Sequence, residues 1–202
     1  MGAAAGKAKS GFAEVNGAGL YYETAGAGFS VVLIHAGVAD RRMWDAEFLA
    51  LARNYRVVRY DARSFGKSPL VSGAYSNRDD LYGLLKFLGI GKACLVGCSM
   101  GGLTATDFAL EHPEQTAGLV LVAAGVGGYN DWSEASGRME MEIFTAVRDG
   151  ELKRAIELQA KLWIDGPARG LERIDPVFRD RARKLLEDNF SRELFAAQLE
   201  ER

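Results

Sequence analysis

Histidine is scarce in this chain: His35 and His112 are the only two among 202 residues. Any chemistry that needs an imidazole base therefore has two candidates and no more. Cysteine is as rare, and Cys94 and Cys98 stand four apart on what reads as one strand and the turn after it. That spacing is poor for a disulfide and two thiols are too few for a metal site, which fits a reducing, cytoplasmic setting. No apolar run approaches the ~20 residues that a membrane-spanning helix needs. Neither sign of charge dominates: 25 basic and 27 acidic residues are interleaved, with a net charge of −2. Nothing in that balance points to a nucleic acid or a membrane surface as partner. The segment Met1–Ser10 is rich in Gly, Ala and Lys without an apolar core, so it reads as a mobile tail rather than a signal peptide. What is present is ordinary for a globular chain, 48% hydrophobic and 26% charged, enough for one domain and a subdomain.

From Phe12 the pattern alternates between strands and helices. Phe12–Val15, a turn at Asn16-Gly17-Ala18-Gly19 and Leu20–Thr24 predict a β-hairpin. Ser30–Ile34 is a β-branched run of the kind buried on both faces of a sheet. A helix is expected over Arg41–Arg53, capped by Asp40, with Trp44, Phe48 and Leu51 on one face. Arg56–Tyr60 is the next strand and Asp61–Ser68 a loop. Asp79–Leu88 places Leu81, Leu84, Leu85 and Leu88 at helical spacing. Ala93–Val96 and Leu119–Ala123 read as buried strands on either side of a helix, Leu103–Leu110. The sum is an α/β fold, a mostly parallel sheet with helices on both faces, over residues 11–128. After Gly128 the character changes, and from Trp132 to Arg202 no strand is evident. Leu152–Trp163 and a helix opened by Asp175-Pro176, with Phe178, Ala182, Leu185, Leu186 and Phe190 in period, predict an all-helical subdomain.

Between the strand at Ala93 and the helix at Leu103 lies Gly97-Cys98-Ser99-Met100-Gly101-Gly102. This fits G-x-S-x-G, a strand–turn–helix junction that holds a serine hydroxyl out at the top of a sheet. The glycines answer a steric demand, because so sharp a turn brings backbone against backbone. Ser99 is thus the candidate nucleophile. Its ordinary alternative, a plain turn serine, carries less weight given the strand before and the helix after. Cys98 occupies a variable position of the motif and reads as packing.

Together with its flanking segments, this stretch resembles the α/β-hydrolase superfamily, in the branch with a helical cap. Leu33-Ile34-His35-Ala36-Gly37, followed by Trp44, is similar to the family's oxyanion loop. Asp61-Ala62-Arg63-Ser64-Phe65-Gly66-Lys67-Ser68 resembles its D-x-R-G-x-G-x-S segment, and Glu111-His112-Pro113-Glu114 the helix end before the sixth strand. Ala36 and Ser64 depart from the family's glycines. The resemblance implies a carboxylic ester or lactone hydrolase working through an acyl-enzyme on Ser99, with the N–H groups of Gly37 and Met100 as oxyanion hole. Ser99 excludes the aspartate nucleophile of dehalogenase-like relatives. The substrate implied is a small apolar ester or lactone, the cap is residues 129–202, and no cofactor or metal is implied.

The resemblance also implies an acid and a histidine after the cap, yet this sequence stops at Arg202. The expectation is a chain cut short and impaired, a non-catalytic ligand-binding relative, or half of an enzyme completed by a partner chain. His35 reads as a structural residue of its own loop. His112, about 20 Å along the helix from Ser99, is too far to serve as base. Asp131 stands where some relatives place the acid, with no histidine to orient. Trp132 and Phe144 are the substrate-contacting candidates, beside Trp163 and Phe190, although apolar residues at helical spacing are more often plain core. The stretches around Gly17 and Gly125–Gly128 lack the spacing of a dinucleotide fingerprint. Loss of the last strands would leave 119–123 as an open edge, favouring a homo-oligomer.

Overall fold

A computed structural model of the chain describes residues 8–70, 73–128, 133–166 and 174–190. The chain divides into two compact units, Met1–Gly128 and Tyr129–Arg202.

The first unit is built on a six-stranded sheet. β1 (Lys9–Val15) and β2 (Ala18–Ala25) form an antiparallel hairpin in which Val15 pairs with Ala18. Its turn is only two residues, Asn16 and Gly17, both at positive φ (48° and 81°). This is the type I′ geometry whose twist matches a tight hairpin, so Ala18 and Gly19 belong to the strand and not to the turn. The ordered sheet also starts at Lys9, inside the segment expected to be a mobile tail; residues 1–7 lie outside those described. β3 (Ser30–Ile34), β4 (Arg56–Tyr60), β5 (Ala93–Cys98) and β6 (Thr116–Val122) complete the order β1-β2-β4-β3-β5-β6. β4, β3, β5 and β6 run parallel, and β2 pairs antiparallel with β4.

Helices cover both faces of this sheet. A 3₁₀ turn (Arg41–Trp44) leads into α1 (Asp45–Leu51), splitting the single helix expected from the sequence. Asp40 caps the turn as anticipated, accepting from Arg42 N–H. Trp44 and Phe48 pack there with Val31, Leu33 and Val57. Strand alternation sends Val32, Ile34 and Val58 to the opposite side, where α2 (Asn77–Phe87) packs against β1 and α3 (Met100–Glu111) against β5 and β3. Among the described residues β6 stands at the edge, and Leu119, Val120, Leu121 and Val122 are 37–47% exposed. The strand stops one residue earlier than expected because Ala123 adopts φ 43°.

The second unit is helical in its described parts: α4 (Glu134–Arg148), α5 (Leu152–Ala160) and α6 (Pro176–Asn189). α4 has no counterpart in the sequence reading. Its signals are Ser133, which caps it, and the buried Ile143, Ala146 and Val147. α5 runs on into one π-helical turn, Lys161–Asp165, ended by Gly166 at φ 83°. Asp175 caps α6 by accepting from Phe178 N–H, as the Asp-Pro pair predicts. Ala146, Val147 and Ala155 form a small core against which Phe190 packs. Arg179 clamps the buried Asp165 with two hydrogen bonds of 2.6 and 2.8 Å.

Candidate active site

Ser99 sits at the junction of β5 and α3 with φ 52° and ψ −114°. A non-glycine residue rarely adopts this conformation, and it persists only where the surroundings enforce it. Here three glycines enforce it by absence. A Cβ on Gly97 would lie 2.2 Å from Gly101 O, one on Gly101 2.3 Å from Ile34 O, and one on Gly102 2.4 Å from Ala124 Cβ. The junction between strand and helix therefore closes only as backbone on backbone. Ser99 is half-buried and its side chain makes no capping bond to α3, so the hydroxyl is not spent on the helix.

Gly37 is brought beside this turn. Its missing Cβ would contact Met100 Cβ and Sδ at 3.6 Å. Hydrogen bonds to the neighbouring carbonyl fix its peptide: Ala36 O accepts from Ala39 N–H (3.1 Å) and lies 2.8 Å from His35 Nδ1. In a trans peptide the N–H points opposite to the C=O, so anchoring Ala36 O sets the direction of the Gly37 N–H. The Ala36 N–H in turn reaches Met43 Sδ at 3.2 Å, a contact with no signal in the sequence.

His35 is fully buried and both its nitrogens are committed. Nε2 accepts from Ala62 N–H at 3.0 Å, which makes Nδ1 the protonated nitrogen, donating to Ala36 O. Its ring meets Phe65 edge-on at 4.9 Å between centroids. Burial pushes its pKa below the ordinary imidazole value, against the pull of the Ala36 carbonyl, Asp61 and Asp40. A proton on Nε2 would face the Ala62 N–H, donor against donor. The unfolded chain then binds more protons than the folded one below ~pH 6.5, and stability falls as pH drops from there toward the lowered folded pKa. Urea midpoints measured between pH 7.5 and 5 will fall more steeply for the wild type than for His35→Gln, whose amide oxygen can accept from Ala62 without titrating. Equal slopes would count against this assignment.

The loop after β4 is bolted to the same region by charge. Asp61 accepts from Arg41 N–H, Lys67 N–H and Arg41 Nη1, the last at 2.7 Å. Arg41 also reaches Glu23 at 3.0 Å and lies over the Tyr21 ring. Burial alone would lower the Arg41 pKa, but Asp61 and Glu23 outweigh it and hold the guanidinium above its usual range. No sequence motif announces this network, because its members are scattered over three segments: β2, the 3₁₀ turn and the loop after β4.

His112 ends α3, 12 residues of helix away from Ser99, and stacks on Tyr82 at 4.6 Å and against Phe108 at 4.8 Å. Cys94 and Cys98 are free and half-buried, and burial raises both thiols. Phe144 lies on α4, partly exposed; Trp132 and Asp131 lie outside the described residues. Among the described residues no cluster of His, Cys, Asp and Glu could hold a metal, and no helix is long and apolar enough to cross a membrane.

Comparisons with known proteins bear on the family and the fold. The chain is 32% identical over 154 residues to a 2-hydroxy-6-oxononadienedioate/2-hydroxy-6-oxononatrienedioate hydrolase of Comamonas testosteroni, covering 72% of this chain and 50% of that protein. It is 36% identical over 114 residues to a 2-hydroxy-6-oxo-6-phenylhexa-2,4-dienoate hydrolase of Burkholderia cepacia, covering 52% and 40%. The chain thus spans half or less of the length of these relatives. Among solved structures, the enol-lactonase of Burkholderia xenovorans LB400 superposes with a TM-score of 0.73 at 26% identity, covering 94% of this chain and 72% of that one. A thermophilic esterase of Thermogutta terrifontis gives 0.72 at 28% identity, covering 94% and 70%. The profile of the Alpha/beta hydrolase family matches residues 31–200. With a parallel sheet, a glycine-enforced serine turn and that match over most of its length, the chain belongs to the α/β-hydrolase family.

Proposed function

We propose that this chain carries the nucleophile and oxyanion hole of a serine hydrolase acting on a small apolar carboxylic ester, lactone or related carbonyl compound. The observation that carries this reading is the backbone of Ser99, held at φ 52° between β5 and α3. In the step proposed, Ser99 Oγ bonds to the carbonyl carbon and loses its proton to a base. The carbonyl oxygen becomes an oxyanion facing the N–H groups of Gly37 and Met100, and collapse of the adduct expels the leaving group to give the acyl-enzyme. Water then releases the acid. The names of the relatives, oxo-dienoate hydrolases, an enol-lactonase and an esterase, support hydrolysis at a carbonyl compound. Residues 129–202, helical in their described parts, are the cap in this reading, with Phe144 and Trp132 as candidate substrate contacts.

Neither histidine supplies the base. His35 is locked in two hydrogen bonds and His112 stacks at the far end of α3. Loss of the histidine in a serine protease costs about 10⁶ in kcat, so these 202 residues alone are expected to turn over very slowly. The reaction therefore needs a base that neither histidine provides. The second reading, a non-catalytic protein that binds a small ligand with this fold, draws on the same absence.

A fluorophosphonate probe separates the two. Slow labelling of Ser99, mapped by mass spectrometry and abolished in Ser99→Ala, is expected. No label above the Ser99→Ala background would leave only the ligand-binding reading. The exposed apolar edge of β6 suits pairing with a second copy, and sedimentation of the same samples as a pure monomer would remove that element.

A further inference from the structure

Ser99 is tethered from a direction that the motif does not announce. Its N–H donates to Val122 O at 3.0 Å, at the end of β6. Its carbonyl oxygen accepts three N–H groups: Gly102 at 2.9 Å, Leu103 at 3.0 Å and Gly125 at 3.2 Å. The first two come from the helix that Ser99 itself begins, so they would follow if the turn swivelled together with α3. The bonds with Val122 and Gly125 come from a different strand and the loop leaving it. They are the hydrogen bonds that fix both peptides of the strained residue to the sheet.

We propose that Gly125 is a positioning residue of the active site, its N–H aiming the Met100 N–H by holding the Ser99 carbonyl. The logic is that of the Ala36–Gly37 peptide. Ser99 O and the Met100 N–H belong to one trans peptide and point in opposite directions, so a donor behind the carbonyl fixes the amide in front. The exit loop is shaped for this task. Ala123 turns the chain at φ 43°, and Ala124 fills the space over Gly102. Gly125 then lies on the first turn of α3. The glycine itself is not required there: a Cβ would meet Leu103 Cβ at 3.6 Å and Ser99 O at 3.8 Å, ordinary contacts, and its φ is not in the left-handed region. What the site uses is the N–H.

This inference rests on the reading of Met100 as an oxyanion donor, and it is tested by removing the N–H while controlling for the side chain. Gly125→Ala keeps the donor, and Gly125→Pro deletes it. Removing one oxyanion donor outright costs about 10²–10³ in rate. Misaiming it through Gly125→Pro is expected to slow fluorophosphonate labelling of Ser99 by at least about tenfold, toward that range. Gly125→Ala is expected to retain labelling within about twofold. By ¹⁵N relaxation dispersion, the Met100 amide should be quiet in wild type and Gly125→Ala and exchange-broadened in Gly125→Pro, with distant core amides unchanged.

Labelling by Gly125→Pro at the wild-type rate, or an equal loss in Gly125→Ala, would overturn the proposal. If wild type is not labelled at all, the functional reading fails while the Met100 relaxation still decides the positioning. If Gly125→Pro does not fold, deuterium exchange of the wild-type Gly125 amide decides: protection supports the bond to Ser99, and exchange at the free rate refutes it.

Discussion

Gly101→Ala will destabilise the chain by about 3 kcal/mol or more, at or above the upper end of ordinary overpacking. The added methyl would sit 2.3 Å from Ile34 O and 2.7 Å from His35 O, both backbone atoms at the end of β3. Backbone cannot rotate away as a side chain can. Either α3 must lift by roughly 1 Å or β3 must give way, and β3 leads directly into the loop that carries Gly37. The same displacement would separate the Gly37 and Met100 amides, so labelling of Ser99 will fall together with stability. Gly37→Ala is the informative contrast. Its Cβ would rest 3.6 Å from Met100, and a substitution without clash is expected to stay within about 0.5 kcal/mol of wild type. Urea unfolding of the two variants measures both. A Gly101→Ala protein within 1 kcal/mol of wild type would mean that the junction is looser than the packing indicates.

The contrast between these glycines also shows what the sequence could and could not reveal. Gly97, Ser99 and Gly101 were legible because a steric demand dictates residue type at fixed spacing, and the structure places the clash where the spacing implies it. The parallel strands were legible for a related reason: Val31-Val32-Leu33-Ile34 is apolar at every position, as burial on both faces requires. Backbone donors leave no such trace. Nothing in the letters at 122 and 125 says that their peptide groups bracket Ser99, since any residue supplies the C=O used at 122 and any but proline the N–H used at 125. The thioether of Met43 against the Ala36 N–H is equally silent, because a methionine after Arg42 reads as packing. α4 was missed for want of a strong apolar stripe. Met139 and Met141 alternate with the charged Glu140 and Glu142, and only Ile143, Ala146 and Val147 are buried along its length. The two histidines show the reverse case. A residue type that catalysis prizes is spent here on holding a loop and on stacking against Tyr82.

Asp80→Ala is expected to cost about 3–5 kcal/mol, the loss typical when one member of a buried ion pair is removed. Arg63 and Asp80 are almost wholly buried, and the guanidinium meets the carboxylate through both Nε and Nη2, the latter at 2.7 Å. Asn16 Nδ2 adds a bond to Asp80 Oδ1 at 2.9 Å, and Arg63 Nη2 donates to Asn16 O at 3.0 Å. Three segments distant in sequence, the β1–β2 turn, the loop after β4 and α2, therefore meet at one charge pair. Beside it Gly83 lets α2 approach so closely that a Cβ would lie 2.3 Å from Val15 Cγ1. Removing the carboxylate takes a counter-charge from a guanidinium that little water reaches, and takes from Asn16 Nδ2 the acceptor at Asp80 Oδ1. The pair itself is not the source of so large a loss. Two charges taken from water recover in mutual attraction little more than they lose in hydration, so most of the cost belongs to the buried charge that has lost its carboxylate. The double variant Asp80→Ala/Arg63→Met tests that division: removing both charges should restore a large part of the stability lost by Asp80→Ala alone. If the double variant is as unstable as the single one, the network is held by its geometry rather than by the cost of a buried charge without its carboxylate.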